Sequence, residues 1–467
     1  MKQHQGANIP LTHIIIYLCA MSINGFDGTV VVPVLPLMAA TFKVTPADLS
    51  GVEWAFLIAS AAVLPLAGWL GARLGAARVF RIFLAGLGIG LLLSGIANSV
   101  WMLLAGRIIQ GVSSGVLVPV GLAMMYRNAT GADRLRISRL TLIPLTIAPM
   151  LGPVLGGIMA QHMGWRSIFT LLAAFSMGVF LAACFCMKPE APDQTATALK
   201  IDRVGLVLVL ISTVGLALLP VAIANATSRA SSPLTYLALT VLTLLAGALM
   251  FYSWKRAQKR PYPALAVGAF TSRMFRSATV SVGISFAALT GFLFFVPVLL
   301  AARGIDTQTI GLMMFPETLG LLVGGQLMIP LKKFLGTRKL MILGYVGAAL
   351  ITVIIAHLPH PGLVFALAMF CFSLFLSQPV LIAQAAAFLD IPPDSMDEST
   401  TLFMMIKTIL SAWGVVLVSV VITWHHLPST TGVWLVSLLL LTLWCFSLAL
   451  TAKVPASLWD GATSETA

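Results

Sequence analysis

The chain is broken into long stretches that carry almost no charge. From Leu11 to Ala40 the only Asp, Glu, Lys, Arg or His side chains are His13 and Asp27. A bilayer core about 30 Å thick takes about 20 apolar residues per helix, and this run is long enough. Similar runs recur to the end of the chain, separated by Pro, Gly or charge. They predict helices at 12–38, 51–71, 79–98, 101–125, 138–160, 167–187, 204–224, 234–254, 276–301, 308–331, 339–357, 361–387, 400–424 and 431–452, fourteen in all. Composition excludes a water-soluble fold. Charged residues make up 9% of the chain, against about 25% in soluble domains. The first run has no cleavage-site signal and reads as a retained membrane helix.

Fourteen spans put both termini on one side, and the basic residues identify that side. If the N-terminus is cytoplasmic, 22 of the 28 Lys and Arg residues fall in cytoplasmic segments. They include Arg73, Arg78 and Arg81; Arg134, Arg136 and Arg139; Lys255, Arg256 and Lys259; and Lys332, Lys333, Arg338 and Lys339. Only Lys43, Arg166, Arg229 and Arg303 fall outside. A missed helix would scramble this split, so it supports both the count and the orientation. The net charge of +13 is therefore a membrane-face signal, and no soluble basic domain exists to bind nucleic acid. The acids Asp390, Asp394, Asp397 and Glu398 lie on the same side and count little in the rule.

A few charges stand inside the runs, where each costs roughly 2.5–3.5 kcal/mol on insertion scales. They are Asp27 in helix 1, Arg107 in helix 4, Glu317 in helix 10 and Lys407 in helix 13. Asp27 is too short to snorkel, so it must face an aqueous cavity, pair with a cation or carry a proton. A carboxylate whose protonation answers to nearby charge and to changing exposure can couple protons to a substrate, which singles out Asp27 and Glu317. A buried ion pair that fixes packing is the alternative, and a mutual Glu317–Lys407 pair is one form of it. Glu53, at the outer end of helix 2, reads as interfacial. Arg107, Gly111 and Gly115 share one face of helix 4, and the glycines make a close-packing G-x-x-x-G ridge. Helix 5 carries Pro149 and Pro153 one turn apart, with Ala148, Gly152 and Gly156 as a second small-residue ridge. The prolines predict bending there, as do Pro33 and Pro36 in helix 1. The five cysteines lack zinc or redox spacing. No nucleophile–base cluster points to an enzyme, and no cofactor is implied. His425 and His426 read as interfacial.

These residues resemble the major facilitator superfamily, in particular its fourteen-helix drug:proton antiporter branch. Asp27, Thr29, Val30, Val31, Leu35 and Pro36 match the branch's helix-1 signature, with Val32 in place of an Asn and Pro33 added. "GWLGARLGAAR" (68–78) is similar to the loop between helices 2 and 3. Gly68, Leu70, Arg73 and Gly75 match, and Ala72 replaces the acid that helps latch the inner gate. Arg107, Gln110, Gly111 and Gly115 match the helix-4 motif, and Pro149, Gly152, Pro153, Gly156 and Gly157 the helix-5 antiporter motif. "WRSIF" (165–169) and "TTLFMMIKTILSAWG" (400–414) resemble later family segments, with Lys407 where Arg is usual. "ARLGAARVF" (72–80) and "KFLGTRKLM" (333–341) hint at two duplicated halves.

The resemblance implies an all-α integral membrane protein of two six-helix bundles with two extra inserted helices. The corresponding divisions are 1–187, 188–260 (a linker plus the inserted pair) and 261–467. It implies a monomeric, multi-pass exporter of the bacterial inner membrane that uses protons to expel small amphipathic molecules. Asp27, Arg107 and Glu317 would handle protons or substrate on a central cavity, with Lys407 and Glu53 as charge partners. Gly68, Arg73, Gly75 and the motif residues of helices 4 and 5 would serve gating and packing. Export of one metabolite or a siderophore is an alternative on the same fold, and a membrane receptor or scaffold is another.

Overall fold

Hydrocarbon offers no hydrogen-bond partners, so a spanning backbone must satisfy its own N–H and C=O groups, and the apolar runs become helices. The computed structural model describes residues 11–127, 131–187, 202, 204–215, 233–259, 267–392, 395–425 and 427–452. It has fourteen helices among these residues: α1 (Leu11–Phe42), α2 (Gly51–Leu74), α3 (Ala76–Gly95), α4 (Val100–Arg127), α5 (Gly131–Met163), α6 (Trp165–Cys186), α7 (Val204–Gly215), α8 (Pro233–Ala257), α9 (Arg273–Ala302), α10 (Thr307–Leu335), α11 (Thr337–His357), α12 (Leu363–Ala386), α13 (Met396–His425) and α14 (Thr430–Ala452). Eleven of them, all but α5, α7 and α8, are long and apolar enough to cross a membrane. Beyond Gly215, the predicted seventh helix lies outside the described residues, as does most of the 188–203 linker. Helices α1 and α5 run without interruption through their prolines. Each is longer than its apolar run, and α5 begins at Gly131 rather than 138.

Packing follows a duplicated plan. In the first half α1 packs on α5 and α6, α4 on α2 and α3, and α6 on α3 and α5. In the second half α9 packs on α13 and α14, α12 on α10 and α11, and α14 on α11 and α13. Each pairing in one half has its counterpart in the other. The two halves meet through α5 against α10 and α2 against α13, which are themselves counterparts, and through α1 against α9. The faint sequence repeat has a matching structural basis. Gly75 joins α2 to α3 at φ 86°, and Gly336 joins α10 to α11 at φ 76°. A positive φ is open to glycine at little cost, and both turns use it at the same place.

Short connections carry the chain between two faces. The start of α1 lies on one, called here the near face, and its end lies on the other, the far face. Two basic residues of the far face, Arg166 and Arg303, are bound to backbone. Arg166 donates to the carbonyl of Ala97 from Nε at 3.0 Å and Nη2 at 2.6 Å. Arg303 donates to the carbonyls of Leu358 and Ala356 at 2.6 and 2.9 Å. Within the second half a buried hydroxyl network ties three helices together. Tyr345 of α11 lies 3.1 Å from Ser281 and 3.0 Å from Ser285 of α9, and Ser285 donates to Ser447 of α14 at 3.2 Å.

Candidate functional site: a charged cluster beside a cavity between the halves

Helix α4 can lie close to α2 because of its glycines. A Cβ on Gly111 would strike the Phe56 carbonyl and one on Gly115 would press on Ser60 and Val63, all on α2. This close approach brings Arg107, one turn before Gly111, against both α1 and α2. Arg107 is fully buried. Its Nε donates to the Val52 carbonyl at 2.9 Å, and its Nη1 donates to Asp27 Oδ1 at 3.0 Å and Gln110 Oε1 at 2.6 Å. Gln110 in turn donates to Ser94 at 2.8 Å, which anchors the cluster to α3. The guanidinium lies over the Phe56 ring, 4.4 Å from its centre.

Glu53 completes the cluster, with Oε2 3.9 Å from Arg107 Nη2. This corrects the interfacial reading of that residue. A 3-10 turn at Asp48–Ser50 runs directly into α2, so Glu53 sits more than one turn inside the helical segment and faces α4. Two carboxylates thus share one guanidinium. Asp27 Oδ2, Glu53 Oε2 and Arg107 Nη2 have no hydrogen-bond partner among the described residues.

Beside the cluster lies a cavity of about 350 Å³ lined from both halves. The first half contributes Gly28, Thr29 and Val32 of α1, Glu53 and Leu57 of α2, and Pro153 of α5. The second contributes Phe286, Leu289, Thr290 and Leu293 of α9, Met314, Glu317 and Thr318 of α10, and Lys407, Thr408 and Ser411 of α13. Asp27 and Arg107 do not line it, contrary to the expectation for both. They stand behind the wall, and Glu53 is the member of the cluster that reaches the cavity. Glu317 is buried and accepts hydrogen bonds from Ser373 of α12 at 2.9 Å and from Thr318 at 3.0 Å. Lys407 places its ammonium 4.5 Å from the centre of the Phe286 ring. Glu317 and Lys407 share the cavity wall but do not form an ion pair, so the mutual pair drawn from sequence is not present. Nothing in the sequence marked Ser373 or Phe286, whose roles depend on how α9, α10, α12 and α13 are arranged.

The antiporter motif of α5 has two glycine faces. Gly152 and Gly156 pack on Thr29 and Val30 of α1. Pro153 and Gly157 face the other half, where a Cβ on Gly157 would lie 2.7 Å from the Thr307 carbonyl oxygen of α10. Pro149 lies one turn earlier and is partly exposed. In the loop motif, Gly75 makes the positive-φ turn. Exposed Arg73 stacks over Trp69 at 5.2 Å, with Ala72 beside it where an acid could have paired. Gly68 is exposed and a Cβ there would meet nothing, so it is not a packing glycine in this arrangement.

The Major Facilitator Superfamily model matches residues 17–415. A Pectobacterium carotovorum subsp. carotovorum (strain PC1) protein named for multidrug resistance, MdtD, is 28% identical over 336 residues, 71% of this chain and 69% of its own. The protein of the same name from Citrobacter koseri (strain ATCC BAA-895 / CDC 4225-83 / SGSC4696) is 25% identical over 423 residues, 88% of this chain and 86% of its own. Among solved structures, a point mutant of the nucleoside transporter NupG superposes with a TM-score of 0.68 at 12% identity, covering 95% of this chain and all of that one. At that identity the likeness concerns the fold.

Proposed function

Since the chain belongs to the Major Facilitator Superfamily, we propose that it is a proton-coupled secondary transporter that exports small amphipathic compounds by alternating access. The observation that carries this reading is the cavity between the halves with the Asp27–Arg107–Glu53 cluster behind its wall. A volume of about 350 Å³ falls in the range for drug-sized ligands, roughly 300–1,000 Å³. Its walls combine aliphatic and aromatic side chains with a few polar ones. The relatives named for multidrug resistance fit this choice of substrate class.

Charge arithmetic gives the coupling. With both carboxylates ionised, the cluster has one negative charge that Arg107 does not cancel, and burying such a charge is costly. A proton on either carboxylate removes the imbalance. Glu53 connects the cluster to the cavity, so a cationic or polar substrate group and a proton compete for the same carboxylate charge. Glu317, with two hydroxyl donors, is the second proton or substrate site.

Packing between the halves supports a cavity that opens to one side at a time. Pro153 and Gly157 of α5 are closed against α10 toward the far face, whereas α4 and α12, which are counterparts, form no packed pair among the described residues. The basic residues of the near face support a cytoplasmic assignment for that face, with both termini there and the chain in the bacterial inner membrane. We place the functional divisions at 1–187, 188–260 and 261–467, the middle segment being inserted between two bundles that rock. Glu53 and Lys407 act as charge partners of the substrate, Gly75 makes the turn between α2 and α3, and Gly111, Gly115, Gly152 and Gly156 hold α1, α2, α4 and α5 together within one moving half.

The test is proton release in proteoliposomes read with a pH-sensitive dye across a panel of toxic compounds. Wild-type protein releases protons when its substrate is added, and Asp27→Asn does not. Wild-type exchange in that variant would sink the coupling role. No compound-driven exchange by the wild type would sink the transporter reading.

A further inference from the structure

Lys407 is the one charged group on the cavity wall with no polar partner among the described residues. Glu53 has Arg107 nearby, and Glu317 holds two hydroxyl donors. The Lys407 ammonium carries three donors, yet neither acid lies within ion-pair distance of it. Its close neighbours with hydroxyls direct them to main-chain carbonyls. Thr408 donates to Met404 at 2.8 Å, Ser411 to Lys407's own carbonyl at 2.8 Å, and Thr290 to the Ser411 carbonyl at 2.6 Å. What supports the ammonium is the face of Phe286, which holds a cation without using any of its three donors.

A lysine that served packing alone would bond a carbonyl or a carboxylate. Here the donors are left facing a cavity of drug size. We infer that Lys407 is the anion-binding residue of this cavity, and that the exported compounds carry an acidic group, such as a carboxylate, attached to an apolar aromatic body. The acidic group accepts from the ammonium. The aromatic body lies along Phe286, Leu289 and Leu293 of α9, the apolar side of the cavity. A basic group on the same molecule has Glu317 and Glu53 to meet, so a zwitterion fits better than a simple lipophilic cation. This inference rests on the export reading above and narrows it to a substrate class.

A matched pair of probes isolates the acidic group. Norfloxacin carries an amine and a carboxylate, its methyl ester keeps only the amine, and ethidium is a lipophilic cation. Binding to purified protein in detergent is read by fluorescence titration, and export by proteoliposomes. The wild type binds norfloxacin at least tenfold more tightly than the ester. Lys407→Gln removes that preference while ethidium binding stays within about threefold, and Lys407→Arg keeps the preference. A wild type with no preference for the acid overturns the inference without any variant, even if it exports ethidium. Persistence of the preference in Lys407→Gln, or equal loss of all three probes in a folded Lys407→Gln, overturns it as well. Selective binding of norfloxacin with no export of any probe contradicts the export reading alone.

Discussion

Gly311 of α10 rests on the carbonyl oxygen of Pro153 in α5, with no room for a methyl group between them. Gly157, one turn further along α5, is also close to α10, at the Thr307 carbonyl. The far-face seam between the halves is therefore backbone on backbone. Gly311→Ala or Gly157→Ala should wedge it apart and slow export more than tenfold with little loss of folded protein. Opening can be checked with Ile422→Cys, which lines a second cavity on the far face together with Pro36 and Val298, in a background whose five native cysteines are serine. A membrane-impermeant maleimide should label that cysteine faster in the glycine variants.

Arg107 bonds one carboxylate directly and lies near a second. Arg107→Ala leaves Asp27 buried without its cation, which should cost about 3–5 kcal/mol. Adding Asp27→Asn removes the stranded charge, so the double variant should regain part of that loss. Thermal unfolding in detergent, compared across the four proteins of the cycle, measures the coupling. Additive losses would mean that the two side chains do not support each other.

How much of this cluster was legible in the sequence depends on what each residue needs. Asp27 and Arg107 stand out because a charge in an apolar run requires an explanation. The glycine face of α4 could be read as well, since spacing alone puts Arg107, Gly111 and Gly115 on one side. Glu53 was misread because its depth depends on a 3-10 turn that lengthens the helical segment, and on the α2–α4 contact, neither of which local hydropathy reports. Whether Glu317 and Lys407 meet depends on the relative rotation of α10 and α13, for which one sequence carries no signal. Gly68 matched a motif, yet in this arrangement no neighbour needs it to be glycine.

Asp306 gives a pH-dependent contribution outside the membrane-spanning segments. It caps α10, accepting from the Thr309 hydroxyl at 2.7 Å and the Thr309 N–H at 2.9 Å. The hydroxyl first and the N–H next hold its carboxyl below the ordinary aspartate value. A carboxylate shifted in this direction contributes fully above its unfolded value and loses the contribution as pH falls through the folded one. Asp306→Ala should therefore cost about 1 kcal/mol near neutral pH. The cost should shrink steadily once the pH drops below about 4, as read from unfolding midpoints of both proteins over a pH series.

The hydroxyl network of the second half is buried, so each lost bond leaves a polar group with no water to replace it. Tyr345→Phe removes the hydroxyl that sits between Ser281 and Ser285. It should lower stability by about 1–3 kcal/mol while leaving the substrate preference unchanged, since none of these residues lines the cavity. A shift in preference between compounds would mean that the network also shapes the cavity.

Pro153 has two surfaces with different duties. The residue lines the cavity, and its carbonyl is the oxygen on which Gly311 rests. Cargo and seam are thus separated by the width of a single residue. A ligand large enough to push on Pro153 loads the joint itself, so no relay of intermediate side chains is needed to report that the cavity is full. On the export reading, cargo size would then act beside the charge balance at Glu53 in setting how readily the seam parts, and compounds too small to touch Pro153 would load it less.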